Sequence, residues 1–290
     1  MIERPQGRCR VSDPQFDAFT ARVADRYAIG EEIGRGSQAT VYRARDVASG
    51  ATVAVKVFHT DLASALDSAQ FLKQMRNTAR VRHPGIVPVL AADEAAGRLF
   101  VVTPFVEGES LRSRLKREHQ LPLLDAVAIT EQVADALGYA HNEGALHKDV
   151  KPENIFLSGA RALLMDLGLS RAITRAMEET RTGTGLSLGT PAYMSPEHAR
   201  GGVEVDARTD LYSLGCVLYE MLAGEPPFTG VTAPAVWRKT LTDTPVPIGV
   251  MRDGMPPDVG LTLDRMLAKT PSERYGDAAH VVEALSALRA

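Results

Sequence analysis

The 290-residue sequence predicts an α+β fold of two segregated lobes, and three observations carry that expectation. Between Tyr27 and Phe58 the chain reads YAIGEEIGRG, TVYRARD and TVAVKVF, short β-branched runs broken by glycine, as antiparallel strands joined by tight turns require. After Glu107-Gly108 it changes to long stretches in which apolar residues recur at helical spacing. Strands come first and helices afterwards, which sets the chain apart from the regular βαβ alternation of a parallel sheet.

Residues 1–26 read as a separate arm. Asp13 is suited to cap a helix, Pro14 to be its first residue, and Phe16, Phe19 and Val23 fall on one face, which predicts a short docking helix from about Asp13 to Ala24. Three strands follow, then a helical stretch from about Asp61 to Val81, a break at His83-Pro84-Gly85, and two apolar strands, IVPVLAAD and RLFVVTPF. The clearest helix is LPLLDAVAITEQVADALGYAHNEG, with Val127, Thr130, Ala134, Leu137 and Tyr139 near one side and Gly144 placed to stop it. DARTDLYSLGCVLYEMLAG, PPDVGLTLDRMLAK and GDAAHVVEALSALRA read as later helices.

Composition narrows the function classes. Apolar residues make up 44% and charged residues 24%, the balance of a folded globular chain. A formal net charge of −3, with no block of basic residues, gives no general attraction to nucleic acid or anionic lipid. Two cysteines, Cys9 and Cys216, supply neither a disulfide framework nor a Cys-based zinc site and suit a cytoplasmic, reducing setting. LYSLGCVLYEMLAG, the longest apolar segment, is too short and polar to span a bilayer, so no membrane insertion is expected.

Ile33-Gly34-Arg35-Gly36-Ser37-Gln38-Ala39-Thr40-Val41 has the form of a glycine-rich nucleotide loop, because glycine lets the backbone approach phosphate oxygens without a Cβ in the way. A plain hairpin turn fits the same residues. A strand, TVYRARD, follows in place of the helix that a dinucleotide fold needs, and no Gly-Lys-Ser/Thr closes a Walker loop. What remains is a flap between two strands. Lys56, in Ala54-Val55-Lys56 on the third strand, could then reach the α- and β-phosphates, although most lysines are simply solvated.

His147-Lys148-Asp149-Val150-Lys151-Pro152-Glu153-Asn154, followed by Ile155-Phe156-Leu157, resembles the catalytic loop of the eukaryotic-like (Hanks-type) serine/threonine protein kinases in their bacterial form. The resemblance covers nearly all of the chain from Tyr27 onward. It implies a bilobal protein kinase fold over 27–290: a small β-rich lobe with one helix (27–104), a hinge (105–107) and a mainly helical large lobe (108–290). It also implies that Asp149 accepts the substrate hydroxyl's proton, that Lys151 reaches the γ-phosphate, and that Asn154 and Asp166, in Met165-Asp166-Leu167-Gly168, hold magnesium, with manganese as an alternative.

Further matches extend it. Gly189-Thr190-Pro191 through Ser195-Pro196-Glu197 resembles the peptide-positioning loop, in which Thr190 would contact Asp149 and Lys151. Glu197 would pair with Arg274, and His147 and Asp210 would support the catalytic loop. For ATP, the resemblance places Ile33, Val41 and Ala54 over the adenine, with Gly34 and Gly36 at the phosphates. Phe156 would form the floor, Thr103 the rear wall, and the Pro104 carbonyl and Val106 backbone the polar contacts. Thr182 and Thr184 stand where related bacterial kinases autophosphorylate, in a stretch between Asp166 and Glu197 expected to be mobile.

Departures are equally specific. No glutamate occurs between Glu32 and Glu94, so the helix position that pairs with the strand lysine in active kinases falls on neutral Gln74. Lys56 is therefore expected to lean toward Asp166. Ala39 takes the place of a third glycine, Leu167 that of a phenylalanine, and Lys148 that of an arginine. The leading expectation is a kinase that phosphorylates serine and threonine on proteins and autophosphorylates by self-association. A pseudokinase is the alternative, on Gln74 and Ala39, and a small-molecule phosphotransferase is a remote third.

Overall fold

A computed structural model describes residues 13–179, 191–201 and 205–289. Asp13 accepts hydrogen bonds from the backbone N–H groups of Gln15 and Phe16, so the chain enters helix α1 (Pro14–Val23) at a proline whose missing N–H costs nothing there. Strands β1 (Tyr27–Arg35), β2 (Ala39–Asp46) and β3 (Thr52–Phe58) follow, then helices α2 (Thr60–Ala65) and α3 (Ser68–Thr78). Strands β4 (Ala91–Ala95) and β5 (Arg98–Pro104) complete an antiparallel sheet in the order β1-β2-β3-β5-β4.

Strand alternation divides the sheet into two working faces. Val53, Val55, Val57, Phe100 and Val102 pack with Tyr42 against Phe19 and Val23 of α1, both of which are fully buried. Phe58, Leu99 and Val101 pack on the other face against Phe71 and Met75 of α3. Phe16 stacks on Tyr42, and Asp13 also pairs with Arg98 at 2.7 Å, so α1 is held at both its apolar face and its cap. Burying two large side chains contributes on the order of 3–6 kcal/mol. Deleting residues 1–25 should lower the melting temperature by about 10 °C at this chain size; scanning calorimetry of the truncated chain checks it, and an unchanged transition would refute the docking.

Two boundaries differ from the sequence expectation. The helical stretch 61–81 is broken at Leu66-Asp67, because the Asp67 carboxylate caps Gln70 N–H and starts a second helix. The strand expected at 86–93 begins only at Ala91. Residues 85–87 are drawn to the large lobe, where Gly85 C=O and Val87 N–H bond the backbone of Leu164.

In the large lobe, β6 (Glu109–Ser110), β7 (Ile155–Ser158) and β8 (Arg161–Leu164) form a small sheet beneath the hinge. Gly108 lies against it: a Cβ there would stand 2.0 Å from the Leu157 carbonyl, so only glycine fits. Helices α4 (Leu111–Glu118) and α5 (Leu123–Asn142) precede β7, and α6 (Leu169–Glu179) follows β8. Then come α7 (Pro196–Ala199), α8 (Ala207–Ala223), α9 (Ala233–Thr242), α10 (Ile248–Met251), α11 (Pro257–Met266) and α12 (Ala278–Ala287). The core is centred on α8, buried continuously from Thr209 to Ala223, with Val127, Ala134 and Leu137 of α5 in the same cluster.

Helix α6 revises the expectation of a mobile stretch after Asp166. Leu169, Ala172, Ile173 and Ala176 recur at i, i+3, i+4 and i+7 and are buried, joining the cluster of Phe58, Leu66, Phe71 and Met75. The start of this segment is thus a helix wedged against α3. Thr182 and Thr184 lie outside the described residues.

Candidate active site

The β1–β2 turn, β3 and the loop around Asp149 converge on one cleft of about 440 Å³. Gly34, Gly36 and Val41 roof it; Lys56, Asp149, Lys151, Asn154 and Asp166 line it below. Val41 stands opposite Lys56 in the β2–β3 register, so the loop lies directly over the lysine. Lys56 Nζ donates to Asp166 Oδ2, the contact expected from the missing glutamate. Burial alone would raise the Asp166 carboxyl, but the Lys56 ammonium, with His147 and Lys151 near, holds it below the usual carboxylate range.

The segment 147–154 is held by buried polar groups. Asp210 on α8 accepts from the backbone N–H groups of His147 and Lys148 at 2.8 and 2.7 Å and from His141 Nε2 at 2.9 Å. Burial opposes this carboxylate, and the two histidines and backbone donors overcome it, keeping its pKa depressed. His147 Nε2 donates to the Met165 carbonyl, which leaves Nδ1 to accept from Asp149 N–H. One buried histidine therefore ties the Asp149 turn to the Asp166 turn. Lys148 and Asp166 take φ of 63° and 60°, left-handed positions that non-glycine residues adopt only when the surroundings enforce them.

Asn154 Nδ2 donates to Asp149 O and Oδ2 at 2.8 and 3.0 Å, and Lys151 Nζ lies 2.7 Å from Asp149 Oδ2. With its amide nitrogen so engaged, Asn154 has its oxygen available toward a cation. Together with the Asp166 carboxylate it offers hard oxygen ligands suited to a divalent metal that also takes phosphate oxygens. Among the described residues no cluster of three or more His, Cys, Asp or Glu side chains could hold a metal by itself.

The residues expected at the adenine are carried by β1, β2, β3, β5, β7 and the chain after β5. Ala54 and Thr103 are register partners in β3 and β5, and Pro104 ends β5 opposite Val53. Phe156 lies on β7 across from Leu163, Val106 follows in the hinge, and Ile33 is exposed on β1. Only Val41 of this set lines the cleft around the charged groups. Glu197 and Arg274 form a bidentate pair at 2.8 and 2.7 Å with Thr209 Oγ1 donating to the same carboxylate. Thr190 lies outside the described residues.

Gln74 stands elsewhere than opposite Lys56. It lines a separate cleft with Asn77, Thr78, Gly144, Gly168 and Arg171. The cause is α6: Leu169, Ser170 and Ile173 line the cleft beside Lys56 and Asp166, while the same helix packs on α3. The apolar spacing of α6 was present in the sequence. So were Arg112, Tyr193 and Glu220, which form a polar network with Glu153 that no motif singled out.

The protein kinase domain family matches residues 27–285. Similar relatives include the serine/threonine-protein kinase PknB of Mycobacterium leprae, 39% identical over 265 residues, covering 89% of this chain and 42% of the relative. PknB of Mycobacterium tuberculosis (strain ATCC 25618 / H37Rv) is 39% identical over 267 residues, with 90% and 42% covered. PknB of Mycolicibacterium smegmatis is 38% identical over 265 residues, with 89% and 42% covered. The chain thus spans less than half the length of these curated relatives. No helix among the described residues is long and apolar enough to cross a membrane. With a family match from Tyr27 to Leu285 laid over the cleft, the buried supports of the Asp149 turn and the two-lobed architecture, the chain belongs to the protein kinase domain family.

Proposed function

We propose that this chain is a serine/threonine protein kinase that transfers the γ-phosphate of ATP, with magnesium or manganese, to hydroxyls of protein substrates. The observation that carries this reading is the convergence of Lys56, Asp149, Lys151, Asn154 and Asp166 under the glycine loop. A serine or threonine Oγ attacks the γ-phosphorus, the bond to the β-phosphate oxygen breaks, and the hydroxyl proton passes to the Asp149 carboxylate. Lys151, beside Asp149, offsets charge on the transferring group. Lys56 turns from Asp166 to the α- and β-phosphates as ATP enters. Asp166 and Asn154 would hold the metal, which supplies charge neutralisation at the phosphate oxygens.

Self-association would let one copy phosphorylate Thr182 or Thr184 of another, and a sequence with two cysteines suits a cytoplasmic setting. Incubation with radiolabelled ATP, metal and a generic protein substrate tests the central reading. Asp149→Asn should lower incorporation by about 10²–10⁴-fold, the range for loss of a positioned proton acceptor. Equal incorporation by parent and variant would refute it.

A further inference from the structure

The tip of the glycine-rich flap is closed from within by a backbone bond, Gly36 N–H to the Ala39 carbonyl at 2.9 Å. Three more bonds reach it from His59, the residue that follows β3. The His59 N–H donates to the Gln38 carbonyl at 2.9 Å. Its ring spans the tip, with Nδ1 at 3.1 Å from the Ser37 carbonyl and Nε2 at 3.2 Å from the Thr40 hydroxyl. A carbonyl only accepts, so Nδ1 carries a proton and donates. Nε2 of the neutral ring then accepts from Thr40 Oγ1, and a charged ring would donate to the same oxygen, so the bridge needs no particular charge state.

His59 also stands at the N-cap of α2, where a short polar side chain would ordinarily bond the first turn, yet its ring makes no capping bond. The side chain is committed to the flap. Thr40 is 4% exposed, so its hydroxyl has little water to turn to and takes the imidazole as partner. Ser37, Gln38 and Ala39 line the cleft that holds Lys56 and Asp149, and His59 lies outside that lining. In a planar trans peptide the N–H points opposite to the C=O. Fixing the Ser37 and Gln38 carbonyls therefore fixes the N–H groups of Gln38 and Ala39, the backbone donors that a turn of this kind can offer to phosphate oxygens. Glycine at 36 gives the tip more freedom to lose on ordering than another residue would. A tip already anchored by His59 loses less of it when a triphosphate enters.

We propose that His59 is a positioning residue for phosphoryl transfer: its ring and its backbone N–H together pin the flap tip at Ser37, Gln38 and Thr40, so that the tip is set before ATP arrives. The proposal rests on the kinase reading, and its test separates the two. Hydrogen exchange of the flap amides in the nucleotide-free protein, equilibrium binding of magnesium-ATP and of adenosine, and steady-state phosphorylation are measured. The proteins are the parent, His59→Ala, His59→Asn, Thr40→Val and His59→Ala/Thr40→Val.

In His59→Ala the amides of residues 36–40 should exchange about tenfold faster, with the rest of the sheet unchanged. Magnesium-ATP should bind about tenfold more weakly, while adenosine, which has no phosphate, binds within about twofold of the parent. KM for ATP should rise by the same factor as Kd, with kcat changing less than about threefold. His59→Asn should recover most of this, because its amide nitrogen can donate to the Ser37 carbonyl as Nδ1 does. Thr40→Val should cost about threefold alone and nothing further when His59 is already alanine. A His59→Ala protein of unchanged melting temperature that keeps either the parent's exchange or its magnesium-ATP affinity would overturn the proposal. So would an equal loss of adenosine binding, or a Thr40→Val effect that persists in full without His59. If His59→Ala melts markedly lower, Thr40→Val and His59→Asn decide by the same criteria. A parent that binds no magnesium-ATP refutes the kinase reading, and the exchange measurement then decides whether His59 pins the tip.

Discussion

Replacing Ala176 with aspartate should raise phosphotransfer by about tenfold or more. Ala176 is fully buried where α6 packs on Phe71 and Leu66, and its carbonyl accepts from Asp67 N–H. An unpaired carboxylate at that point costs several kcal/mol as long as α6 stays seated, and nothing once the helix leaves. The substitution therefore favours the released state selectively. Leu169 and Ile173 line the cleft that holds Lys56 and Asp166, so release of α6 is expected to clear that cleft and to let α3 turn toward Lys56. Steady-state rates at saturating ATP and metal measure the effect. A variant no faster than the parent, with a helix content reduced by about one α6, would show that the wedge does not limit turnover.

The same geometry changes the expectation for Gln74. In the seated state a glutamate at 74 would face the cleft shared with Arg171 and Gly168, a different cleft from the one that holds Lys56. Gln74→Glu alone should alter the rate by less than about twofold, whereas in the Ala176→Asp background it should add a further increase by meeting Lys56. That departure from additivity is the signature of two residues coupled through one moving element.

How much of this was visible beforehand follows from the range of the forces involved. The cluster of Lys56, Asp149, Lys151 and Asn154 was legible through the resemblance of residues 147–154 to a kinase catalytic loop, since Lys56, alternating with apolar neighbours on one strand, reads by itself as a solvated lysine. The lean of Lys56 toward Asp166 was expected from a missing charge, but with α6 seated position 74 faces another cleft, so the contact is present for a reason the sequence expectation did not contain. Helix α1 was legible through a local cap and three apolar residues. Helix α6 was not, although its spacing was present, because its stability comes from α3, about a hundred residues earlier in the chain. Arg112, Glu153, Tyr193 and Glu220 are likewise far apart in sequence, and nothing in their spacing joins them. The break at Asp67 turned on one side chain choosing between helix interior and cap, a choice of about 1 kcal/mol that periodicity does not register.

The second large effect concerns stability and its pH dependence. Burial would raise the Glu197 carboxyl, but Arg274, through two hydrogen bonds and its charge, with Thr209 assisting, brings it down to about 2 from an ordinary 4.5. A carboxyl whose folded pKa is depressed stabilises the fold above its unfolded pKa and loses that contribution as pH falls toward the folded value. Here the contribution is about 3 kcal/mol at neutral pH, complete above about pH 5 and lost progressively between 4.5 and 2. Glu197→Gln strands a guanidinium whose side chain is wholly buried, so it should lower the melting temperature at pH 7 by about 10 °C. The gap between parent and variant should narrow as pH falls through 4.5. Replacing Arg274 with methionine in the same variant should recover part of the loss, because the stranded charge is then gone and the methionine fills apolar space beside Tyr212. Melting curves of the three proteins from pH 7 to 3 measure all of this. A gap that stays constant across that range would mean that the pair is held by packing alone and that its charge contributes nothing to the fold.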